Sequence, residues 1–326
     1  MTTAPGSARP FRVVHGDTAG ALPGAVVAIG NFDGLHRGHQ AVVEAALARA
    51  RALGRPAAAL TFEPHPRSYF RPDEPLFRLS DPAMKLRLLA GTGLDAAIVL
   101  PFDAALADLS AEEFVRQVLV ERLAIAGAAI GYDFHFGHAR SGSPAFLTGE
   151  GERRGFPVEV VPPLARGTQR VSSSAVRAAL AHGEVRAAQD LLGHPWFVGG
   201  TVRHGDKRGR DLGYPTANLR LDPSGELMHG IYAVRVGIDG ETHDGVASFG
   251  RRPTFDNGAP LLEVFIFDFT GDLYGRAIDV ALIDFIRPEL RFDGAAALVR
   301  QMDDDARAAR EILAAATPTR FPPRLP

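Results

Sequence analysis

The stretch Gly30-Asn31-Phe32-Asp33-Gly34-Leu35-His36-Arg37-Gly38-His39 decides the fold of the first half of the chain. An apolar run at residues 25–29 precedes it and predicts a buried strand, and the apolar spacing of residues 40–53 predicts an amphipathic helix after it. A direct passage from strand to helix is typical of α/β sheets, where free N–H groups and the helix dipole favour an anion. We therefore expect a phosphate-binding turn at this junction.

Two histidines, His36 and His39, give this turn its chemistry. Imidazoles at such a place hydrogen-bond phosphate oxygens and offset the charge that builds up during phosphoryl or nucleotidyl transfer. Gly30, Gly34 and Gly38 allow the backbone to approach a ligand closely. A lone histidine in a strand–helix turn more often caps or packs, but the whole stretch favours the functional interpretation. The spacing matches neither a dinucleotide-binding turn nor a P-loop.

The rest of the first half alternates between short apolar runs and segments of helical spacing. Strands are predicted at residues 26–29, 57–62, 96–100, 128–130 and 158–161. Helices are predicted at residues 40–53, 81–90 and 111–123, with Ser80 and Ser110 as the N-caps of the last two. Alternation of this kind predicts a Rossmann-like α/β domain, in which helices cover both faces of a parallel sheet.

The pattern changes to closely spaced strands after residue 192. Candidate strands are residues 197–203, 231–238, 242–248, 261–267 and 278–285, and Asp239-Gly240 is a hairpin dipeptide. So many strands in so short a span predict a small antiparallel β-barrel, followed by a helix over residues 294–315. We place the domain boundary between residues 183 and 184, which gives domains of residues 1–183 and 184–326.

Composition narrows the possible classes of function. The 326 residues are 46% hydrophobic and 23% charged, and the formal net charge is −2, so no bulk attraction to nucleic acid or an anionic membrane is expected. The chain contains no cysteine, which excludes disulfides, thiolate metal sites and thiol nucleophiles. No apolar run has the length of a membrane span, and residues 1–10 do not resemble a signal peptide. We expect a cytoplasmic protein that binds small molecules, with its oligomeric state left open.

A second candidate phosphate site is the segment Arg170-Val171-Ser172-Ser173-Ser174-Ala175-Val176-Arg177. Ser172 or Ser173 is a suitable N-cap for the helix that follows. Hydroxyl groups, helix N–H groups and the side chains of Arg170 and Arg177 would then converge on one anion. A run of serines before a helix is, taken alone, explained by capping.

The segment Gly200-Thr201-Val202-Arg203-His204-Gly205-Asp206-Lys207-Arg208-Gly209-Arg210-Asp211-Leu212-Gly213-Tyr214-Pro215-Thr216-Ala217-Asn218-Leu219 is rich in glycine and in cations. Its composition predicts a flexible basic flap suited to polyphosphate. Thr216 and Asn218 offer two neutral oxygens of the kind that Mg²⁺ accepts. The alternative is a glycine-rich hairpin loop whose charges are only solvated.

Glu263 is a carboxylate inside an otherwise apolar strand, residues 261–267. Side chains alternate between the two faces of a strand, so Glu263 faces solvent by alternation or is kept there for a chemical purpose. The residues alone leave both interpretations open.

Together these motifs resemble those of the bifunctional riboflavin kinase/FAD synthetase family of bacteria. The first stretch resembles GxFDGxHxGH of the nucleotidylyltransferase superfamily, the serine segment resembles (V/I)SSTxIR, and residues 200–219 resemble GxVxxGxxxGRxLGxPTANL. The resemblance covers nearly the whole chain apart from its termini. It implies that the second domain phosphorylates riboflavin to FMN with ATP, and that the first transfers an adenylyl group from ATP to FMN, giving FAD and pyrophosphate.

The resemblance also implies the residues of the two sites. In adenylyl transfer the catalytic residues would be His36 and His39, and the ATP contacts would be Gly30, Asn31, Phe32, Asp33, Gly34, Asp133, Arg170, Ser173, Ser174 and Arg177. Flavin contacts would be Phe62, Pro64 and His65, from the element Thr61-Phe62-Glu63-Pro64-His65-Pro66, and Arg252. In the kinase reaction Glu263 would act as the base, Mg²⁺ would be bound by Thr216 and Asn218, and ATP would contact Arg203, Gly205, Lys207, Gly209 and Arg210.

Three positions depart from the family pattern. Ser174 stands where the family usually has Thr, Ser248 where many relatives have Asn, and Phe265 where many have His. One rival function is that of an adenylyltransferase for another mononucleotide, such as nicotinate mononucleotide, but such an enzyme lacks a kinase barrel. The other is a flavin-binding regulator built on an inactive scaffold, which the intact motif residues disfavour.

Overall fold

The computed structural model describes residues 10–16, 22–167, 169–204, 214–251 and 260–325. Two compact units are distinguished by their internal contacts, and each is described by itself. The first consists of Met1–Pro75, Lys85–Ala165 and Pro322–Pro326, and the second of Leu76–Met84 and Arg166–Phe321. The domain boundary between residues 183 and 184, inferred from the motifs, stays a prediction.

A six-stranded parallel sheet forms the first unit. Its strands are β1 (Arg12–His15), β2 (Val26–Ile29), β3 (Ala57–Glu63), β4 (Ala96–Pro101), β5 (Gly127–Gly131) and β6 (Val158–Val161). They lie in the order β1-β4-β3-β2-β5-β6, and all paired neighbours are parallel. The chain runs outward from β2 through β3 to β4 and then returns to place β5 on the other side of β2. The topological switch point, where such sheets bind ligands, is therefore at the carboxyl end of β2.

The predicted helices of the first two-thirds of the chain are present beside further ones, but Asp81 rather than Ser80 caps the helix that begins at Pro82, because its Oδ1 accepts the N–H of Met84 at 2.7 Å. The helices are α1 (Arg37–Leu53), α2 (Pro66–Phe70), α3 (Pro82–Ala90), α4 (Ala104–Ala107), α5 (Ala111–Glu113), α6 (Pro144–Arg154), α7 (Ser173–Ala181) and α8 (Val185–Leu192). Helix α1 begins before the predicted residue 40, because His36 caps it. It ends at Gly54, whose φ of 61° lies in the left-handed region that favours glycine.

The helix predicted over residues 111–123 begins as α5 and continues as a π-helix, Phe114–Arg122. A reciprocal cap starts it: the N–H of Glu113 donates to Oγ of Ser110 at 3.2 Å, and the N–H of Ser110 donates to Oε2 of Glu113 at 2.8 Å. The hydrogen bond from the Ser110 backbone, followed by one with the Ser110 side chain, holds the pKa of the Glu113 carboxyl below its ordinary value.

The core of the first unit explains the continuous apolar runs of its strands. All four residues of β2 and the first six of β3 are buried, so both faces of the sheet are covered there. The core includes Ile29, Leu60 and Leu100 from the strands and Leu119 and Leu147 from the helices. The sheet and its buried strands confirm the predicted α/β fold of the N-terminal half.

An antiparallel six-stranded sheet forms the second unit, after a short ribbon of β7 (Ala165–Arg166) and β8 (Gln169–Arg170). Its strands are β9 (Trp196–Thr201), β10 (Thr216–Arg220), β11 (Gly230–Ile238), β12 (Glu241–Arg251), β13 (Pro260–Ile266) and β14 (Ala277–Arg287). They lie in the order β10-β13-β12-β11-β14-β9. Arg203, just beyond β9, forms a bridge with Asn218 of β10, so the two edge strands meet and the sheet curls into the predicted barrel.

One face of this sheet forms the core and the other carries the final helix. Tyr232, Phe249 and Leu262 are fully buried in the core. Helix α9 (Ala295–Ala315) packs against β11, β12 and β14. Arg287 of β14 makes two hydrogen bonds to Asp305 of α9, at 2.7 and 2.6 Å, in the two-pronged geometry that arginine–carboxylate pairs favour. These contacts confirm the predicted barrel with a C-terminal helix.

Candidate functional site

The turn after β2 is buried and has a constrained backbone. Phe32 has a φ of 52°, in the left-handed region, and its side chain is completely buried. Gly30 leaves room for that ring, since a Cβ at Gly30 would lie 3.3 Å from it. Asp33, which is 2% exposed, and Gly34, with a φ of 76°, continue into one turn of 3₁₀ helix. The predicted phosphate-binding turn is thus fixed in one conformation at the switch point of the sheet.

The two predicted histidines lie together at the start of α1. The rings of His36 and His39 are stacked, with centroids 3.6 Å apart and an angle of 14° between planes. The Nδ1 of His36 accepts the backbone N–H of His39 at 3.2 Å, and so caps the helix. Because Nδ1 is the acceptor, the neutral ring of His36 carries its proton on Nε2.

Two neighbouring strands end beside this turn. β3 and β5 flank β2, and parallel strands bring their carboxyl ends to one edge of the sheet. β3 leads into the predicted flavin element, where Phe62 is 7% exposed, Pro64 follows, and His65 caps α2 by accepting a backbone N–H at 3.1 Å. β5 leads to Asp133, two residues beyond its end. The first unit therefore gathers three features at one edge of its sheet. They are the turn of residues 30–39, called the histidine turn, the predicted flavin element of residues 61–66, and Asp133.

Lys85 is a buried residue at this edge that the sequence interpretation did not select. Its side chain is 1% exposed, and its Nζ lies 2.5 Å from Oε1 of Glu63, the residue before Pro64. The signal was present in the sequence, since Lys85 lies one turn before Leu89 on the buried side of α3. Lysine is almost never fully buried unless it is paired.

The serine segment belongs to the second unit. Ser172 is the N-cap of α7, because its hydroxyl accepts a backbone N–H of the first turn at 3.2 Å. Ser173 and Ser174 are therefore the first two residues of the helix, where N–H groups lack partners within the helix. Arg170 ends β8, and Arg177, one turn into α7, donates from Nε to a backbone carbonyl. Of the two N-caps considered, Ser172 is the one that the structure supports.

A row of polar residues crosses neighbouring strands of the barrel. Asn218 on β10 lies opposite Glu263 on β13, and Glu263 lies opposite Ser248 on β12. Arg203 extends the row, since its N–H donates to the carbonyl of Asn218 at 3.0 Å. Directly opposed residues project from the same face of a sheet. The alternating burial of β13 shows that Glu263 is half-buried on the face away from the core.

Asn218 carries a buried oxygen that fits a cation. The residue is 5% exposed, and its Nδ2 donates to the carbonyl of Thr216 at 3.2 Å. Among the residues that the structure describes, no donor reaches its Oδ1. An unmatched buried amide oxygen is costly, and a hard cation such as Mg²⁺ accepts it as a ligand. No group of three histidine or carboxylate side chains in the described ranges could hold a metal, so a cation here would depend on neutral oxygens and substrate phosphates.

An aromatic wall borders the polar row. Phe265 lies two residues beyond Glu263 on the same face of β13. The ring of Tyr214 packs on Phe265 with centroids 4.7 Å apart, and its hydroxyl donates to Asp303 of α9. Burial, followed by the hydrogen bond to Asp303 and its charge, raises the pKa of Tyr214 to about 12. Sequence interpretation missed Tyr214, although the glycine-rich segment contains it.

Several predicted ligand contacts lie outside the described residues, namely Gly205, Lys207, Gly209, Arg210 and Arg252. The described part of their segments supplies Arg203, Thr216 and Asn218, of which Asn218 lies opposite Glu263, while Thr216 lies opposite Phe265 and Arg203 opposite Asn218. The remaining predicted ligand contacts lie in the first unit, in α7, or at Arg170 at the end of β8.

Comparison with known proteins identifies the family. A model of FAD synthetase matches residues 19–175, and a model of riboflavin kinase matches residues 192–313. The bifunctional riboflavin kinase/FMN adenylyltransferase of Pseudomonas fluorescens is 42% identical over 292 residues, which are 89% of this chain and 94% of that protein. The protein of the same name from Escherichia coli K12 is 39% identical over 309 residues, which are 94% and 99% of the two chains. This chain belongs to the bifunctional riboflavin kinase/FMN adenylyltransferase family.

Membership in the bifunctional riboflavin kinase/FMN adenylyltransferase family confirms the resemblance drawn from the motifs. A solved structure described as a macrolide-efflux protein from Streptococcus pneumoniae is also similar, with a TM-score of 0.81 and 32% identity over 91% of this chain and 98% of that one. In the residues that the structure describes, no helix combines the length and apolar character that crossing a membrane requires.

Proposed function

We propose that this chain catalyses both reactions of its family, each with its own residues. Riboflavin and ATP would give FMN and ADP at the polar row of the barrel, and FMN and ATP would give FAD and pyrophosphate at the turn that carries His36 and His39. The comparisons confirm the predicted pair of activities, since the relatives that carry both names are matched over 94% and 99% of their length. The buried, unmatched oxygen of Asn218 opposite Glu263 is the observation that carries the kinase assignment.

Glu263 is assigned the role of base in the kinase reaction. Its carboxylate is half-buried on the polar row, next to the residues proposed to bind ATP and its cation. It would take the proton of the ribityl 5′-hydroxyl as that oxygen bonds to the γ-phosphorus. The bond from this phosphorus to the β-phosphate oxygen breaks, and ADP leaves. Transfer of this kind depends mainly on positioning and on neutralising phosphate charge.

Thr216 and Asn218 are the residues that would hold Mg²⁺. The unmatched Oδ1 of Asn218 and the neutral oxygens of Thr216 suit a hard cation. The ion would offset negative charge on the ATP phosphates. Further ATP contacts are assigned to the basic, glycine-rich segment, at Arg203, Gly205, Lys207, Gly209 and Arg210.

Adenylyl transfer needs no protein nucleophile, because the phosphate of FMN attacks the α-phosphorus of ATP directly and pyrophosphate leaves. His36 would donate from Nε2 to a phosphate oxygen, and the stacked ring of His39 would supply a second donor. The triphosphate is also assigned to Arg170, Ser173, Ser174 and Arg177. The turn residues Gly30, Asn31, Phe32, Asp33 and Gly34 and the later Asp133 are assigned to the nucleotide.

The remaining assignments concern the flavin and the location of the enzyme. Phe62, Pro64, His65 and Arg252 are the proposed flavin contacts. The ligands are small molecules, namely riboflavin, FMN, FAD and ATP, and the net charge of −2 offers no bulk attraction to nucleic acid or membrane. We place the enzyme in the cytoplasm, where ATP, the co-substrate of both reactions, is available.

A direct assay tests the whole assignment. Purified protein is incubated with riboflavin, ATP and Mg²⁺, and the flavins are separated by chromatography over time. FMN should appear first and FAD after it, and FMN supplied in place of riboflavin should give FAD alone. A protein that binds flavin but forms neither product is the regulator described above, and the enzymatic assignment is then wrong.

A further inference from the structure

The buried lysine of the first unit is joined to three groups at the end of β3. The Nζ of Lys85 donates to Oγ1 of Thr61 and to the carbonyl of Phe62, both at 3.2 Å, and lies 2.5 Å from Oε1 of Glu63. The side chain of Glu63 is 20% exposed, whereas that of Lys85 is 1% exposed. A buried ammonium is tolerated only when it is paired and hydrogen-bonded. The ion pair and two hydrogen bonds therefore fix the ammonium, and with it the end of β3.

The same ammonium reaches the histidine turn through one hydroxyl. Thr61 is completely buried, and its Oγ1 donates to the carbonyl of Asn31 at 3.3 Å while it accepts from Lys85. Asn31 precedes Phe32, whose left-handed backbone persists only where its surroundings impose it. A chain of contacts thus runs from Glu63 through Lys85 and Thr61 to the backbone of the histidine turn at Asn31.

We propose that Lys85 is a positioning residue for adenylyl transfer. It fixes the flavin element at the end of β3 and the histidine turn after β2 relative to each other. This role rests on the proposed function of the first unit. Lys85 would act on FMN through Glu63 and the carbonyl of Phe62, and on ATP through Thr61. Stability alone does not account for such a lysine, because a buried ion pair can often be replaced by apolar residues without loss of stability.

Two single variants separate the effect of Lys85 on FMN from its effect on ATP. Lys85→Met keeps the length of the side chain and removes the ammonium, so the KM for FMN in FAD formation should rise about tenfold or more, the usual effect of losing hydrogen bonds to a charged group. Thr61→Val keeps the shape and the Lys85–Glu63 pair but cuts the link to Asn31. It should raise the KM for ATP in FAD formation more than the KM for FMN.

A double variant separates positioning from charge balance. Lys85→Met with Glu63→Gln removes the unpaired carboxylate that the single change leaves. If Lys85 only neutralises Glu63, the double variant should recover both the melting temperature and FAD formation. If Lys85 is a positioning residue, the melting temperature should recover while the KM for FMN stays high. If Lys85→Met alone does not fold, the double variant and Thr61→Val still distinguish positioning from charge neutralisation.

The measurements are steady-state rates on the full chain, with FMN formation from riboflavin as the internal control, because the second unit carries that reaction. A raised KM for FMN in Lys85→Met, and a KM for ATP that rises more than the KM for FMN in Thr61→Val, support the inference. An unchanged KM for FMN in Lys85→Met, equal changes of the two KM values in Thr61→Val, or recovery of FAD formation in the double variant overturns it. A wild-type chain that makes FMN but no FAD would instead remove the proposed function of the first unit, and the positioning role with it.

Discussion

Asn218 and Glu263 lie directly opposite each other on adjacent antiparallel strands, and both project from the face of the barrel away from its core. One contributes a buried amide oxygen that no described donor reaches, and the other a half-buried carboxylate. The proposed cation ligand and the proposed base are thus held side by side by strand register rather than by a loop. The relative position of the two groups is therefore set by the hydrogen bonds of the sheet.

Glu263→Gln should slow riboflavin phosphorylation, since Gln keeps the size of the side chain but cannot take a proton. The expected loss is roughly 10²–10⁴-fold, and FMN supplied from outside should still become FAD at the normal rate. Initial rates of the two reactions on one preparation measure this. Glu241→Gln is a matched control, because Glu241 begins the neighbouring strand β12 with its side chain 81% exposed. A carboxylate that merely faces solvent would make both variants equally harmless.

Asn218→Ala should shift the Mg²⁺ dependence of riboflavin phosphorylation to higher concentration. The substitution removes the buried Oδ1 proposed as a cation ligand, and altered metal sites commonly lose at least about tenfold in affinity. Asn218→Asp retains an oxygen at the same place and should recover part of the affinity. Both reactions are titrated with Mg²⁺, and the curve for FAD formation should not move. An unchanged kinase curve in Asn218→Ala would separate Asn218 from the cation.

His36→Asn tests the chemistry of the histidine separately from its capping role. Asn is a good N-cap, so α1 should keep its start and the melting temperature should change little. The Nε2 donor is lost, and FAD formation should fall on the order of 10²-fold, with the same loss expected for His39→Ala. Riboflavin phosphorylation provides the control in both variants. Parallel losses of the two activities would mean misfolding, and undiminished FAD formation would exclude the histidines from the mechanism.

Many elements of the fold and several site residues could be predicted, because local sequence patterns determine them. The strand-to-helix passage predicted a phosphate-binding turn after β2, and period-two alternation gave an outward-facing Glu263 as one of two interpretations. β10 was not predicted as a strand, because only Ala217 and Leu219 of it enter the core and the alternation is too short to recognise. Capping by His36 was given only as the general alternative for a histidine in such a turn, since histidine is not among the preferred N-cap residues.

Contacts between distant residues could not be predicted in the same way. The position of Lys85 on the buried side of α3 was visible in the sequence, but its partner Thr61 is 24 residues away and periodicity does not connect them. The same holds for Tyr214 and Asp303, which only the packing of α9 brings together. Local patterns predict which elements form, and tertiary packing decides which side chains meet.

Asp303→Asn should lower the pH at which Tyr214 ionises. The pKa of Tyr214 is about 12 against an ordinary value of 10.0, and burial is the largest cause, ahead of the hydrogen bond to Asp303 and its charge. Because the pKa is raised on folding, the stability it contributes is fully present below pH 10.0 and is lost as the pH rises toward 12. The variant should ionise between these values, since burial remains.

Tyrosinate absorbance, taken as the difference between each protein and the same protein with Tyr214→Phe, isolates this one ionisation. Asp304→Asn is the control, because Asp304 pairs with Arg307 on the exposed side of α9. An ionisation midpoint that is the same in wild type and in Asp303→Asn would show that Asp303 does not hold the proton on Tyr214.

A fragment that begins at residue 166 should be more stable than one that begins at the predicted boundary, residue 184, when both end at residue 326. The longer fragment retains α7, whose Val176 and Leu180 are completely buried in the core of the second unit. Burying such side chains stabilises by about 1.5–3 kcal/mol each, so the shorter fragment should melt at a clearly lower temperature. Both fragments lack Leu76–Met84, so the comparison isolates the contribution of residues 166–183.

Both fragments should phosphorylate riboflavin wherever they are folded, because Asn218 and Glu263 are present in each. Equal melting temperatures would mean that α7 is dispensable to the barrel and that the boundary at residue 184 divides the chain cleanly.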